Sequence, residues 1–571
     1  MILLFGGTTE GRSAVDTLEA AGSPFFYSTK TGEQRVQLTH GSSVEGAMDE
    51  ESMLRFCRQR NIRLMVDAAH PFASQLHLTV VRTAKTLGIP AVRYERIYPQ
   101  RDPEITWIDD YSQIPHNIHS LLATTGVQSI ARLKPLEAEG IKVYYRILNR
   151  ESSISLALRQ GATMQQLCFY DSPTEMDVEA EAVVMKESGL SGGFAEKVDA
   201  AKAKGMRIIA LKRPKTAGFS ETVNGPHGLR RAVEKFLPEF YPLHSGLTTG
   251  TCATAAAIAA TLQLHERKVP DEVLVVLPNG ETISVAVGYG EGYAYCIKDA
   301  GDDPDATNGL EIRATVKESE RFEIKGGEGV GRFTLPGFDF PPGEPAINQG
   351  PRQMMHNNIR ENVSVTISVP EGRQTALKTF NPRLGIEGGI SIIGVSGITL
   401  PYSEEAFIES IHKCLEVAKA SGSDHIVINS GAKSENALKA KFPQLPMQCF
   451  VQYGNYIGRT LQMAGDLGFH HVTLGMMLGK AVKLAEGHLD THSRNTVMNK
   501  GFIASLLKES GISITENYTL ARELWTLIPD DRVQVFASTV IRHCLHHLAA
   551  VFPPDRLSIL LISDEGGIYR V

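Results

Sequence analysis

The chain has 571 residues, 42% apolar and 21% charged, with a formal net charge of −6. That length predicts several domains, each with its own core, and the mild acidity excludes a global basic field for nucleic acid or an anionic membrane surface. No apolar run approaches the roughly 18 residues of a membrane span, the amino-terminal stretch lacks the basic flank of a signal peptide, and seven scattered cysteines never form Cys-x-x-Cys; together these predict a reduced, cytoplasmic protein with no metal site.

Two segments read as beginnings. Met1–Arg12 is an apolar run entering a glycine turn and then a helix, and Gly246–Ala260 is a Gly/Thr loop feeding an alanine-rich helix. Between them Leu237–Ser245 carries two prolines that interrupt regular structure. The expected organisation is an α/β and α+β multidomain chain with units at 1–243 and 244–571.

In the first unit, Leu64–Ala73 leads into a helix and then Gly88–Arg96, and Ala182–Gly193 leads into helix 196–204 and then Gly205–Pro214. Each repeat has an apolar strand, a polar loop, a helix ending at glycine and a second buried strand. Strands alternating with helices predict parallel sheets with ligands at their carboxyl edges, here two Rossmann-like halves, about 1–125 and 126–243, facing a shared cleft. Gly6, Gly7, Thr8, Thr9 and Glu10 form a turn open to close backbone approach, with Thr8 or Thr9 capping a phosphate-attracting helix; a tight turn without ligand is the other reading. Lys186, Ser188, Gly189, Gly192 and Gly193 combine a cation, hydroxyls and bare backbone, which suits an anion, against a solvated loop. His70, placed in a helix's first turn before Pro71, is either a hydrogen-bond or proton donor to substrate or a backbone-bonded histidine, and Asp67 is either a substrate ligand or a loop cap.

The motifs Gly6–Arg12, Asp67–Ala73, Lys186–Gly193, Glu196-Lys197 and Arg213-Pro214 resemble the precorrin-6A reductase family (the CbiJ/CobK type), with Ala69 where threonine is usual. The resemblance implies hydride transfer from NADH or NADPH to a corrin-pathway macrocycle. A multiply carboxylated substrate would suit Arg93, Arg96, Arg132, Lys134 and Arg146, and Lys30 or Arg35 could receive a ribose phosphate.

In the second unit, Val273–Val287 carries Asn-Gly between apolar runs and predicts a hairpin. Ile297–Gly309 holds Asp299, Asp302 and Asp303 in a dense acidic turn, readable as Asx turns or as a cation site. Thr379–Gly397 contains five glycines that allow an adenosine-like ligand to approach the backbone, or serve tight crossings. Helix and strand between Ala406 and Ile428 restore α/β character, and Leu478–Ser493 gathers Lys480, Lys483, His488 and His492. His488 and His492 could coordinate a metal, but no Cys or second acidic pair is suitably spaced, and Arg542–His547 on an expected helix reads as a polar helix face.

Thr248–Cys252, Asp299–Pro304, Gly343–Asn348, Asn381–Gly385, Gly388–Ser391 and Thr491–Ser493 resemble the cobalt-precorrin-5B C1-methyltransferase family (the CbiD type). That implies S-adenosylmethionine as donor and a cobalt-containing tetrapyrrole as acceptor. The donor is expected on Gly388, Gly389, Ser391, Gly394 and Gly397. The macrocycle is expected near Thr248, Thr249, Gly250, Thr251, Cys252, Asp299, Asp302, Asp303, Lys480, His492 and Ser493. The two resemblances together imply a bifunctional enzyme of anaerobic cobalamin biosynthesis; the alternatives are a single-activity reductase for another polyanion, or a scaffold that binds tetrapyrrole without turnover.

Overall fold

The opening residues form a buried strand, β1 (Ile2–Phe5), after which Thr8 caps α1 (Thr9–Glu19) by accepting the Gly11 amide at 2.9 Å. Ile2 and Leu4 enter the core on one face of the sheet and Leu3 and Phe5 on the other, as strand alternation requires when helices cover both faces. The computed structural model describes residues 1–32, 34–172, 174–492, 498–514 and 518–571.

The chain continues through β2 (Phe25–Thr29), β3 (Gly41–Glu45), α2 (Glu50–Gln59), β4 (Leu64–Asp67), α3 (Ser74–Leu87) and β5 (Ala91–Glu95). α3 ends at Gly88, whose φ of 65° lies in the left-handed region glycine enters without steric cost. A second series follows: β6 (Thr106–Ile108), β7 (Ser120–Ala123), α4 (Ile130–Ala138), β8 (Lys142–Ile147), α5 (Glu151–Arg159), β9 (Leu167–Phe169), β10 (Ala182–Lys186), α6 (Phe194–Ala203) and β11 (Arg207–Leu211). The series closes with β12 (Glu221–Asn224) and α7 (Gly225–Phe236).

Two six-stranded sheets result, ordered β12-β5-β4-β1-β2-β3 and β6-β11-β10-β7-β8-β9, and every pairing in them is parallel. The Rossmann-like reading holds, but halves at 1–125 and 126–243 do not. β6 and β7 already belong to the second sheet, and β12 returns to pair with β5 of the first. The return is paid in hydrophobic burial: Leu229, Ala232 and Val233 of α7 are essentially unexposed in the core shared with Ile2, Leu4 and Val92, each aliphatic chain worth about 1.5–3 kcal/mol when fully buried.

Residues 1–245 with 274–284 make one compact unit, and 246–273 with 285–571 the other. In the second, β13 (Gly246–Leu247) precedes α8 (Thr249–Glu266). The predicted hairpin forms as β14 (Glu272–Val276) and β15 (Thr282–Ala286) around Gly280, with φ 84°. Its tip counts with the first unit, where the buried Glu281 carboxylate accepts the His227 and Gly228 amides at 2.9 and 3.2 Å. There follow β16 (Gly288–Gly290), β17 (Tyr293–Ile297), β18 (Glu311–Glu318), β19 (Glu323–Gly326), β20 (Arg332–Phe333), α9 (Gln349–Asn358) and β21 (Val363–Ser368). The sheet β16-β17-β18-β21-β19 carries α8, whose alanines at 253, 255, 256, 257 and 259 are wholly buried; small side chains let a helix approach so closely. The last part is α/β, a five-stranded sheet in the order Phe450–Gln452, His425–Asn429, His471–Met477, Leu557–Ile562, Ile568–Tyr569. Among the described residues no helix is long and apolar enough to cross a membrane.

Candidate functional sites

Strand order reverses between β1 and β4 in the first sheet and between β7 and β10 in the second, and at such switch points loops part to leave a crevice. The loops following β1, β4 and β10 are those singled out from sequence. Gly7, with φ 93°, has open space where a Cβ would stand, and its amide donates to Tyr27 Oη and Gln34 Oε1. A Cβ on Gly11 would lie 2.7 Å from Gly6 Cα, so that glycine permits the close packing of α1 on β1. Thr9 is exposed, while Thr8 Oγ1 donates to the Ala68 carbonyl at 2.7 Å and ties the first loop to the one after β4. The loop stands at the N-terminus of α1, where the helix dipole favours an anion.

Glu10 does not belong with them. It is 8% exposed, its Oε2 lies 2.9 Å from Arg96 Nε, and Ser191 Oγ donates to its other oxygen. Arg96 in turn donates to the Ser188 carbonyl at 2.7 Å. Glu10 and Arg96 therefore lock the loop after β1 to the loop after β10, and neither is free to hold a ligand. Ser188 is buried with its hydroxyl on the Gly192 carbonyl, and Cβ atoms on Gly189 or Gly192 would strike Arg96. Those three, predicted to cradle an anion, are packed inward instead. Gly193 takes φ 63° at the start of α6, a backbone role.

Asp67 is wholly buried. Its carboxylate accepts from Arg93 Nη1 at 2.9 Å and the Ala69 amide at 3.0 Å, and lies 2.6 Å from His77 Nδ1. Burial pushes its carboxyl up, but the His77 hydrogen bond and the Arg93 charge outweigh this and hold it below the ordinary carboxylate range. Arg93 Nη2 donates to the Ala69 carbonyl and His77 Nε2 meets the His70 carbonyl, so the network shapes the loop bearing His70. Asp67, wholly engaged by these partners, positions that loop. His70 precedes the helix, which starts only at Ser74, because the turn from Ala69 to Ala73 is needed to satisfy these carbonyls. Burial, then the charges of Arg96, Lys186, Arg93 and Lys197, bring its pKa down to about 3. It is neutral at physiological pH; with Nδ1 accepting the Phe72 amide, Nε2 carries the hydrogen and can donate a hydrogen bond.

A cleft of about 1300 Å³ opens on this edge, lined by Phe72, Tyr98, Arg101, Arg132, Lys186 and Arg213 among others. Lys186 lies 5.1 Å from the Phe72 ring centroid. Glu187, 3% exposed, is gripped by both Arg101 and Arg213, and Arg213 stacks 3.7 Å over Tyr98. Of the other cations expected near the cleft, Arg93 is committed to Asp67, Lys134 pairs with Glu137 on α4, and Arg146 stacks 4.7 Å over Tyr170. Sequence reading missed Arg101, Lys212 and Lys215; the run Lys212–Lys215 after β11 was its available signal.

In the second unit the two regions expected to bind different ligands are joined. Thr248 caps α8 by accepting the Thr251 amide; Gly250 donates to the Ile393 carbonyl at 2.9 Å, Thr249 Oγ1 accepts the Ile393 amide at 2.8 Å, and Thr251 Oγ1 donates to the Gly397 carbonyl at 2.6 Å. Cys252 is unexposed. A Cβ on Gly389 would stand 2.0 Å from the Gly329 carbonyl oxygen, and one on Gly394 2.3 Å from Thr248 Oγ1. Ser391 Oγ donates to Asn381 Oδ1. Gly388, with φ 83°, faces open space. Gly389 and Gly394 thus admit the close approach of the Gly329 backbone and of the Thr248 side chain, and Thr251 and Cys252 are buried.

The acidic turn is built from Asx bonds. Asp299 Oδ1 accepts the Gly301 amide and Asp303 Oδ1 the Tyr402 amide, both at 2.9 Å, while Asp302 is exposed. The unpredicted Lys298, 1% exposed, pairs with Asp305 at 3.1 Å. Lys480 donates to the Gly454 carbonyl, and the His492 amide donates to Asp490 Oδ1 at 2.9 Å; Ser493 lies outside the described residues. Among the described residues no group of three or more His, Cys, Asp or Glu side chains could hold a metal ion.

The family model described as "Precorrin-6x reductase CbiJ/CobK" matches residues 1–232, and the CbiD model matches 238–401. A cobalt-precorrin-5B C(1)-methyltransferase of Prosthecochloris aestuarii is 40% identical over 350 residues, covering 57% of this chain and 95% of that protein. The chain belongs to the cobalt-precorrin-5B C(1)-methyltransferase family. The Priestia megaterium member is 43% identical over 287 residues, covering 48% of this chain and 78% of its own. A solved CobK precorrin-6A reductase matches with 18% identity and a TM-score of 0.33, covering 41% of this chain and 97% of that one. This CbiD-family chain is thus a fusion, with a CbiJ/CobK domain ahead of its CbiD part.

Proposed function

We propose that the chain is a bifunctional enzyme of cobalamin biosynthesis. Its CbiD part methylates cobalt-precorrin-5B at C1 with S-adenosylmethionine to give cobalt-precorrin-6A, and its CbiJ/CobK part reduces that product to cobalt-precorrin-6B with NADH or NADPH. The observation that carries the reductase reading is the cation-rich cleft of about 1300 Å³. A polycarboxylated macrocycle needs cations disposed around a wide opening, and a dinucleotide needs bare backbone at a helix N-terminus. Gly7 and Thr9 hold the pyrophosphate. Lys186 and Arg132 take substrate carboxylates, and the neutral His70 donates a hydrogen bond that orients the ring to be reduced. When bound, the nicotinamide supplies hydride; the chain's own residues supply orientation.

Incubating the protein with cobalt-precorrin-5B, S-adenosylmethionine and reduced nicotinamide cofactor gives a product heavier by one methyl group and two hydrogens, read by mass spectrometry. A product carrying the methyl alone removes the reductase assignment, and an unchanged substrate removes the methyltransferase assignment.

A further inference from the structure

The wall of the large cleft in the first unit carries one deeply buried carboxylate, that of Glu187. Glu187 follows β10, and its amide extends the pairing with β11 by donating to the Leu211 carbonyl at 2.9 Å. That register sets it beside Arg213, two residues past the end of β11. Its oxygens accept four hydrogen bonds. Arg101 donates from Nε and Nη2 at 3.0 and 2.9 Å, and Arg213 from Nη1 and from its own amide, both at 2.9 Å. A carboxylate offers about four lone-pair positions, so Glu187 has none left for a ligand.

The two arginines are only partly engaged. Their side chains are 43% and 35% exposed on the cleft wall. Among the described residues Arg101 Nη1 and Arg213 Nε and Nη2 donate to no protein group. Each guanidinium is also backed by a ring. Arg213 stands 3.7 Å over Tyr98, whose hydroxyl donates to Glu95 at 2.9 Å, and Arg101 stands 5.2 Å over Trp107. Other cations of the cleft are held differently: Lys212 pairs with Asp109 and Arg132 with Asp110, carboxylates that are 69% and 47% exposed. Exposed pairs are weak and exchange readily with a ligand. Glu187 releases neither arginine, because release would leave its charge buried and short of partners.

We infer that Glu187 is a positioning residue of the reductase, fixing Arg101 and Arg213 side by side so that their remaining donors receive two carboxylates of the macrocycle. The inference rests on the reductase reading proposed above. A guanidinium meets a carboxylate as a two-pronged fork. Two forks held at one spacing recognise a pair of acids, where lysines on flexible stems recognise only charge.

The test is steady-state reduction of cobalt-precorrin-6A by the intact chain, followed by loss of the reduced nicotinamide absorbance, with thermal unfolding recorded for each variant. Glu187→Gln keeps the size and removes the charge; it raises the KM for the macrocycle about tenfold or more and leaves kcat and the cofactor KM within about twofold. Arg101→Met combined with Arg213→Met raises the same KM at least as far. Adding Glu187→Gln to that pair changes it by less than about twofold, because a residue that acts through others then has nothing to position. A merely structural glutamate lowers the unfolding midpoint with KM unchanged, or multiplies in full in the arginine-free background. Either result, or a fall in kcat as large as the rise in KM, overturns the inference and leaves the reductase reading standing. Where Glu187→Gln does not fold, Arg101→Met and Arg213→Met singly decide, and an unchanged KM in both overturns the inference. No cofactor oxidation by the unaltered chain overturns the reductase reading and the inference together.

Discussion

The loop at Gly6–Gly11 and the segment Gly388–Gly397 are similar in composition and opposite in use. At Gly7 the missing side chain leaves open space at the edge of a sheet. At Gly389 and Gly394 the same absence is filled by the Gly329 carbonyl and by Thr248. Glycine density therefore marks where backbone is approached closely, and only the neighbour decides whether the visitor is a ligand or another stretch of chain.

That contrast can be broken most severely at Gly389. Gly389→Val forces a side chain into the Gly329 backbone, and overpacking against unyielding backbone costs at least about 3 kcal/mol; the second unit is expected to lose its cooperative thermal transition. Gly7→Ala meets no atom and pays only for its positive φ, about 1 kcal/mol, while the KM for the nicotinamide cofactor rises more than the unfolding temperature falls. Equal destabilisation by the two would end the distinction.

Arg96→Met comes next. It leaves Glu10 buried without its guanidinium, a loss of about 3–5 kcal/mol in denaturant unfolding for a broken buried pair, with both loops loosened together. Lys186→Met, in contrast, is expected to leave stability nearly unchanged and to raise the KM for the polycarboxylated substrate about tenfold, the worth of roughly one 1.4 kcal/mol contact. A kcat loss without a KM change would place Lys186 elsewhere in the reaction.

Thr248→Ala removes the cap of α8 and is expected to cost about 1 kcal/mol, read as a shift in the unfolding of the second unit. A further effect concerns pH. His70 in the folded chain resists protonation down to about 3, whereas its ordinary value is 6.5. The unfolded chain therefore binds the extra proton first, so stability is level above about pH 6.5 and declines as pH falls toward 3. His70→Gln flattens part of that decline in unfolding midpoints between pH 7 and 4.5, and removes no limb from the reductase rate near pH 6.5.

Much of the fold was legible because it is written in local pattern. The apolar runs 2–5, 64–66 and 182–185 became buried parallel strands, Gly88 ended its helix, and Asn279-Gly280 turned its hairpin. The partner of β12 was not legible, since Glu221–Asn224 pairs with β5 across more than a hundred residues and carries no local sign of which sheet it joins. The site was legible at its outline and illegible in its electrostatics. Asp67 looked like a substrate ligand because Arg93 and His77, its partners, stand 26 and 10 positions away.

What the sequence alone determined is the pair of family signatures, the parallel-sheet character of the first unit and the loops that end at sheet edges, all functions of neighbouring residues and their period. Only the tertiary structure decided that Glu10 and Arg96 lock two loops, that His70 is neutral, and that Gly389 meets backbone while Gly7 meets open space. Those outcomes depend on which distant group fills the space beside a residue, and burial among charges is a property of the assembled fold.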